Sequence, residues 1–93
     1  MKIIITGSSG FIGYHLANYF LKKKYNVVGI DSNNNYYSRL IKNKRLANLK
    51  KNKKFKFYKI NLVNEKKLER IFVENNPKAI FHLAGQPGVL YSL

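Results

Sequence analysis

One stretch, residues 1–31 (MKIIITGSSGFIGYHLANYFLKKKYNVVGID), constrains the fold more than any other part of the chain. Lys2–Thr6 carries three consecutive isoleucines, a β-branched run of the kind found in strands buried on both faces. Glycines follow at Gly7, Gly10 and Gly13, a G-x-x-G-x-x-G spacing rather than the better known G-x-G-x-x-G. Gly7 permits a tight turn, Gly10 lets backbone approach a ligand, and Gly13 lets a helix pack closely on the strand. Ile12, Leu16 and Phe20 recur at i, i+4 and i+8. They predict a helix over about 11–24 that turns this stripe to the sheet, with Tyr19 and Leu21 beside it. Asn26–Asp31 is a second apolar strand, and it ends on an acid eighteen residues past Gly13. Strand, glycine turn, helix, strand and terminal acid are, in that order, the parts of a dinucleotide-binding crossover unit.

The remaining residues repeat the alternation. A helix is expected over about 36–49 with Leu40, Ile41, Leu46 and Leu49 as its apolar face, then a charged loop at 50–54. Residues 55–60 alternate apolar and polar as a strand does. Asn64 suits the N-cap of a third helix, through about 75, with Leu68, Ile71 and Phe72 facing inward and Asn76-Pro77 stopping it. Residues 79–84 form a fourth strand, and Pro87 suits the first turn of another helix. The pattern βαβαβαβ predicts an α/β fold: a parallel sheet ordered 3-2-1-4 with right-handed crossovers, the N-terminal half of a doubly wound, Rossmann-like fold. Its fourth strand would present an apolar edge through which copies could associate.

Composition narrows the chemistry. With 93 residues there is room for one domain, and the absence of cysteine excludes disulfides, thiolate metal sites and a cysteine nucleophile. His15 and His82 are too few for a histidine metal cluster. No apolar run approaches the roughly 18 residues of a membrane helix, and no h-region follows Lys2, so a cytoplasmic location is the expectation. The net charge of +14 raises the question of nucleic acid. Fifteen of the 18 basic residues are lysine, and asparagine, isoleucine and tyrosine are also abundant. All four have A/T-rich codons, and the lysines scatter over every segment apart from the cluster at 50–54. A solvated surface therefore explains the charge better than a nucleic-acid footprint, which positive charge alone supports only non-specifically.

Other matches to chemical motifs carry less. Tyr19 and Lys23 form a Tyr-x-x-x-Lys pair, but on the first helix, where the residues pack on the sheet or face solvent. Ser8 and Ser9 read as turn residues, since no base is placed beside them. No Gly-Lys-Ser/Thr follows the turn, which excludes a P-loop. His82, on a buried strand, reads as a satisfied core histidine first and a cofactor contact second.

The run Thr6-Gly7-Ser8-Ser9-Gly10-Phe11-Ile12-Gly13 resembles the opening of the extended short-chain dehydrogenase/reductases, in particular the NAD-dependent nucleotide-sugar epimerases and dehydratases. Val28-Gly29-Ile30-Asp31 with Asn34 and Tyr36-Tyr37, Arg45-Leu46, and Phe81-His82-Leu83-Ala84-Gly85-Gln86 followed by Gly88-Val89 and Tyr91-Ser92-Leu93 resemble the UDP-glucuronate 4-epimerase branch. The resemblance implies an NAD site. Gly7, Gly10, Phe11, Ile12 and Gly13 would line the pyrophosphate turn. Asp31 would accept from the adenosine ribose, favouring NAD over NADP, with Asn34 nearby. Asn61 and Leu62 would lie near the adenine, and Leu83, Ala84, Gly85 and Gln86 beside the cofactor toward the nicotinamide.

The sequence departs from the family pattern at Asn61 for Asp, Lys24 for Gly, Leu90 for Arg and Ser38 for Asp. If Lys24 is left-handed, its substitution costs about 1 kcal/mol. The family's catalytic Tyr-x-x-x-Lys and upstream Ser or Thr correspond to positions beyond Leu93. The expectation is therefore a truncated NAD-binding domain over residues 1–93. It would lack the substrate domain that holds the UDP-sugar, contain no catalytic residue and be inactive alone; the alternatives are a stand-alone nucleotide-binding module without catalysis and a basic nucleic-acid-binding domain.

Overall fold

Ile3 and Ile5 point to one face of the sheet and Ile4 to the other, and all three are buried. That alternation requires layers on both sides of the first strand, which the chain supplies. The computed structural model describes residues 1–32, 39–61, 64–83 and 89–92. Its elements are β1 (Lys2–Thr6), α1 (Phe11–Lys22), β2 (Asn26–Asp31), α2 (Arg39–Lys50), β3 (Phe55–Lys59), α3 (Glu65–Asn75), β4 (Ala79–His82) and β5 (Val89–Ser92).

The strands form one sheet ordered β3-β2-β1-β4-β5. The first four are parallel in the expected 3-2-1-4 order, with Ile4 opposite Val28 on one side and Ile80 on the other. One face packs Ile3, Ile5, Val27 and Phe55 against Ala17 and Leu21 of α1 and Leu46 and Leu49 of α2. The other packs Ile4, Val28, Ile30 and Ile80 against Leu68 and Ile71 of α3. Each isoleucine, valine, leucine or phenylalanine side chain so withdrawn from water stabilises the fold by about 1.5–3 kcal/mol before entropy is counted.

Helix ends follow local chemistry. Asn64 caps α3, its side-chain oxygen accepting the Lys67 N–H at 3.2 Å. Asn76 closes the same helix in the left-handed region with φ 44°, a conformation asparagine tolerates. Lys24, just past α1, has φ 70°, the left-handed geometry that the glycine comparison anticipated.

Three expectations need correcting. On α1 the buried face is Gly13, Ala17 and Leu21; Leu16 and Phe20 pack at its flank, while Ile12 is 67% and Tyr19 54% exposed. Both stripes share the i, i+4, i+8 spacing, and the one with small residues wins because it lets the helix axis approach the turn. On α2, Leu46 and Leu49 are buried but Leu40 and Ile41 are exposed, since they lie on the helix's first turn away from the sheet. Finally, Val89–Ser92 is a strand antiparallel to β4, where a helix was expected after Pro87. Val89, Leu90 and Tyr91 favour extended structure. The few residues after His82 are too short for a parallel crossover, which takes about a dozen. The β4 edge expected to invite association is thus covered by β5.

Candidate functional site

The three-layer order places a switch point between β1 and β4: the chain leaves β1 toward α1 and α2 on one face, whereas α3 leads to β4 on the other. In open α/β sheets the crevice at the strand C-termini beside such a point is where ligands bind. Thr6, the last residue of β1, and His82, the last of β4, meet there through Thr6 Oγ1 and His82 Nδ1 at 2.7 Å. His82 is thereby a satisfied, half-buried histidine. The Leu83 N–H donates to the Thr6 carbonyl at 3.3 Å, so Leu83 lines the same strand end.

The glycine turn starts at this point. Gly7 has φ 73°, which a side chain would strain, and its N–H donates to the Ile30 carbonyl at 2.7 Å. The Gly7 carbonyl in turn accepts from the Gly10 N–H at 3.0 Å. A Cβ on Gly13 would lie 2.1 Å from that same carbonyl oxygen, so only glycine allows α1 to seat against the turn. Gly10 is the N-cap of α1. It offers no side-chain cap, and the first turn of the helix contains no acid. The first N–H groups of α1 and the positive end of its dipole are therefore left for an anion from outside the helix. Ser8 and Ser9 are fully buried, and neither hydroxyl has a hydrogen-bond partner among the described residues. Buried hydroxyls of this kind are costly unless a polar group engages them. These features fit a diphosphate. Phe11 and Ile12 flank the turn as exposed apolar shoulders.

Asp31, at the end of β2, is 3% exposed and faces the turn. Its Oδ2 accepts the Ser9 N–H at 3.1 Å, and its Oδ1 lies 3.8 Å from the Lys42 ammonium. The Ile60 N–H donates to the Asp31 carbonyl, and Asn61, exposed, follows directly. Gly7, Gly10, Phe11, Ile12, Gly13, Asp31, Asn61 and Leu83 thus gather at one end of the sheet. Asn34, Leu62, Ala84, Gly85 and Gln86 lie outside the described residues.

Tyr19 and Lys23 do not belong to this site. They sit at the far end of α1, with the Lys23 ammonium 5.4 Å from the Tyr19 ring centroid.

Three neighbours of the site were not singled out for it from the sequence. Lys42 reaches Asp31. Arg45, three residues on, donates from Nη1 to the Ser9 carbonyl at 3.1 Å. The i, i+3 spacing that puts both cations on one face of α2 was the available signal. Gly29 is the third, because a Cβ there would come within 2.5 Å of Ser8 Oγ and 2.7 Å of the Phe55 ring. A lone glycine inside an apolar strand was its signal.

Among the described residues, no helix is long and apolar enough to cross a membrane. The chain is 45% identical over 93 residues to Protein CapI of Staphylococcus aureus, covering 100% of this chain and 28% of that protein. It is 40% identical over 90 residues to the UDP-glucuronate 4-epimerase of Thermodesulfobacterium geofontis, covering 97% of this chain and 28% of that one. The crystal structure of UDP-glucuronic acid 4-epimerase from Bacillus cereus, in complex with UDP-glucuronic acid and NAD, superposes with a TM-score of 0.80 at 36% identity. That match covers 96% of this chain and 28% of the epimerase. The chain therefore spans little more than a quarter of the length of these relatives. Residues 4–93 match the GDP-mannose 4,6 dehydratase family, and the chain belongs to that family.

Proposed function

We propose that residues 1–93 are an NAD-binding domain of a nucleotide-sugar epimerase that inverts C4 of a UDP-sugar. The observation that carries the reading is the junction of Ser9 with Asp31. It joins an uncapped, acid-free helix N-terminus to a buried carboxylate at the end of the next strand. In this reading the backbone of residues 7–13 receives the diphosphate, and the Ser8 and Ser9 hydroxyls lie against the same turn. Asp31 accepts from the adenosine ribose, and its negative charge disfavours the 2′-phosphate of NADP. Asn61 would lie near the adenine and Leu83 toward the nicotinamide; the family resemblance assigns Asn34 to the ribose, Leu62 to the adenine, and Ala84, Gly85 and Gln86 to the nicotinamide side. When bound, NAD supplies a reversible hydride acceptor. Within residues 1–93 we assign binding and orientation only, and no catalytic residue.

The family membership, the NAD in the Bacillus cereus epimerase structure and the unpartnered serine hydroxyls support this reading. Fluorescence titration with NADH tests it: micromolar binding abolished by Gly10→Val is expected. Steeply salt-dependent RNA binding without an NADH response would favour a basic nucleic-acid-binding domain instead.

A further inference from the structure

We propose that Arg45 is a positioning residue for the diphosphate subsite, fixing the peptide that leads into α1; the inference rests on the cofactor reading above. Its guanidinium brackets Gly10, the N-cap of α1. On one side Nη1 donates to the Ser9 carbonyl at 3.1 Å; on the other, the guanidinium carbon stands 5.8 Å from the ring centroid of Phe11.

The Ser9–Gly10 peptide is held at both polar atoms. Its oxygen accepts from Arg45, and its N–H donates to the Gly7 carbonyl at 3.0 Å. The preceding peptide is held by Asp31 through the Ser9 N–H. Two consecutive peptide planes of the turn are thus oriented by side chains that reach in from β2 and α2. The direction of these planes sets where the first N–H groups of α1 aim, and anion recognition by backbone depends on that direction. A planar guanidinium can donate in its plane while offering its face to a ring; an ammonium cannot reproduce both. Arg45 therefore acts through geometry at Ser9, and its charge alone is not sufficient.

The test compares three ligands on the 93-residue chain and on Arg45→Ala and Arg45→Lys, with circular dichroism checking that each variant folds. NADH binding is read by fluorescence, ADP-ribose by competition against NADH, and adenosine by NMR chemical-shift titration. Both variants are expected to lose about tenfold in affinity for NADH and ADP-ribose. Adenosine, which lacks the diphosphate, should stay within about twofold of the unaltered chain. Full rescue by Arg45→Lys would overturn the proposal in favour of simple charge attraction. An equal loss for adenosine would overturn it in favour of general structural support, and unchanged NADH affinity in Arg45→Ala would overturn it outright. If the unaltered chain binds neither NADH nor ADP-ribose, the cofactor reading falls and the proposal falls with it.

Discussion

The backbone N–H of Ser9 donates to Oδ2 of Asp31 across 3.1 Å, joining two residues 22 positions apart in the chain. The carboxylate read as the ribose acceptor therefore also holds the turn read as the diphosphate cradle. Removing it should disturb both. Asp31→Ala leaves the buried Ser9 N–H without its acceptor and the Lys42 ammonium without its carboxylate. We expect about 1–3 kcal/mol of destabilisation in urea and loss of NADH binding, whereas Asp31→Asn, which keeps an acceptor, should lose less stability.

Gly13→Ala places a Cβ 2.1 Å from the Gly7 carbonyl oxygen, with backbone rather than a flexible side chain as the neighbour. The helix must back away from the turn. A loss of about 1–3 kcal/mol is expected in chemical denaturation. Gly10→Ala is the control: its Cβ would stand 3.3 Å from the same oxygen, so the fold should survive with a much smaller change.

Lys24 adopts φ 70° after α1, and a residue with a Cβ is strained there. Lys24→Gly should stabilise the chain by about 1 kcal/mol, read as a higher urea midpoint at unchanged slope. Its carbonyl accepts from the Lys54 ammonium at 2.9 Å, a contact that the glycine variant keeps.

Tyr58 should ionise below the ordinary tyrosine range. The hydrogen bond from the Lys56 ammonium favours the tyrosinate and pulls its pKa below the ordinary tyrosine value, partly opposed by burial. The same pairing raises Lys56. Because Tyr58 is lowered, its ionisation begins before the pH reaches the ordinary tyrosine value, and the ion pair is lost when Lys56 deprotonates. Tyrosine ring-carbon NMR across a pH titration would follow it, and Lys56→Gln should move the Tyr58 midpoint up toward the ordinary tyrosine value.

The parallel order and all four of its strands were legible in the sequence, because β-branched runs, glycines and caps are local signals. The inward face of α1 was not. Ile12, Leu16 and Phe20 have the same spacing as Gly13, Ala17 and Leu21, and hydrophobicity ranks the first set higher. Contact distance decides otherwise, since only the smaller residues let the helix close on Gly7. Gly7, Gly10, Gly13 and Asp31 were readable because crossover geometry fixes their separation. The i, i+3 spacing of Lys42 and Arg45 marks one face of α2, but the Lys42–Asp31 and Arg45–Ser9 contacts depend on where that face lands against the turn, which the spacing does not encode. The antiparallel β5 was missed because strand propensity at Val89–Ser92 competed with a proline signal for a helix start.

The most direct test of the central claim is an amide NMR titration of the chain with NAD. The account predicts saturable shifts in residues 7–13 and at Asp31, diminished when NADP replaces NAD, with the lysine-rich residues 50–54 unmoved. Shifts confined to residues 50–54, or none at the glycine turn at millimolar NAD, would contradict it.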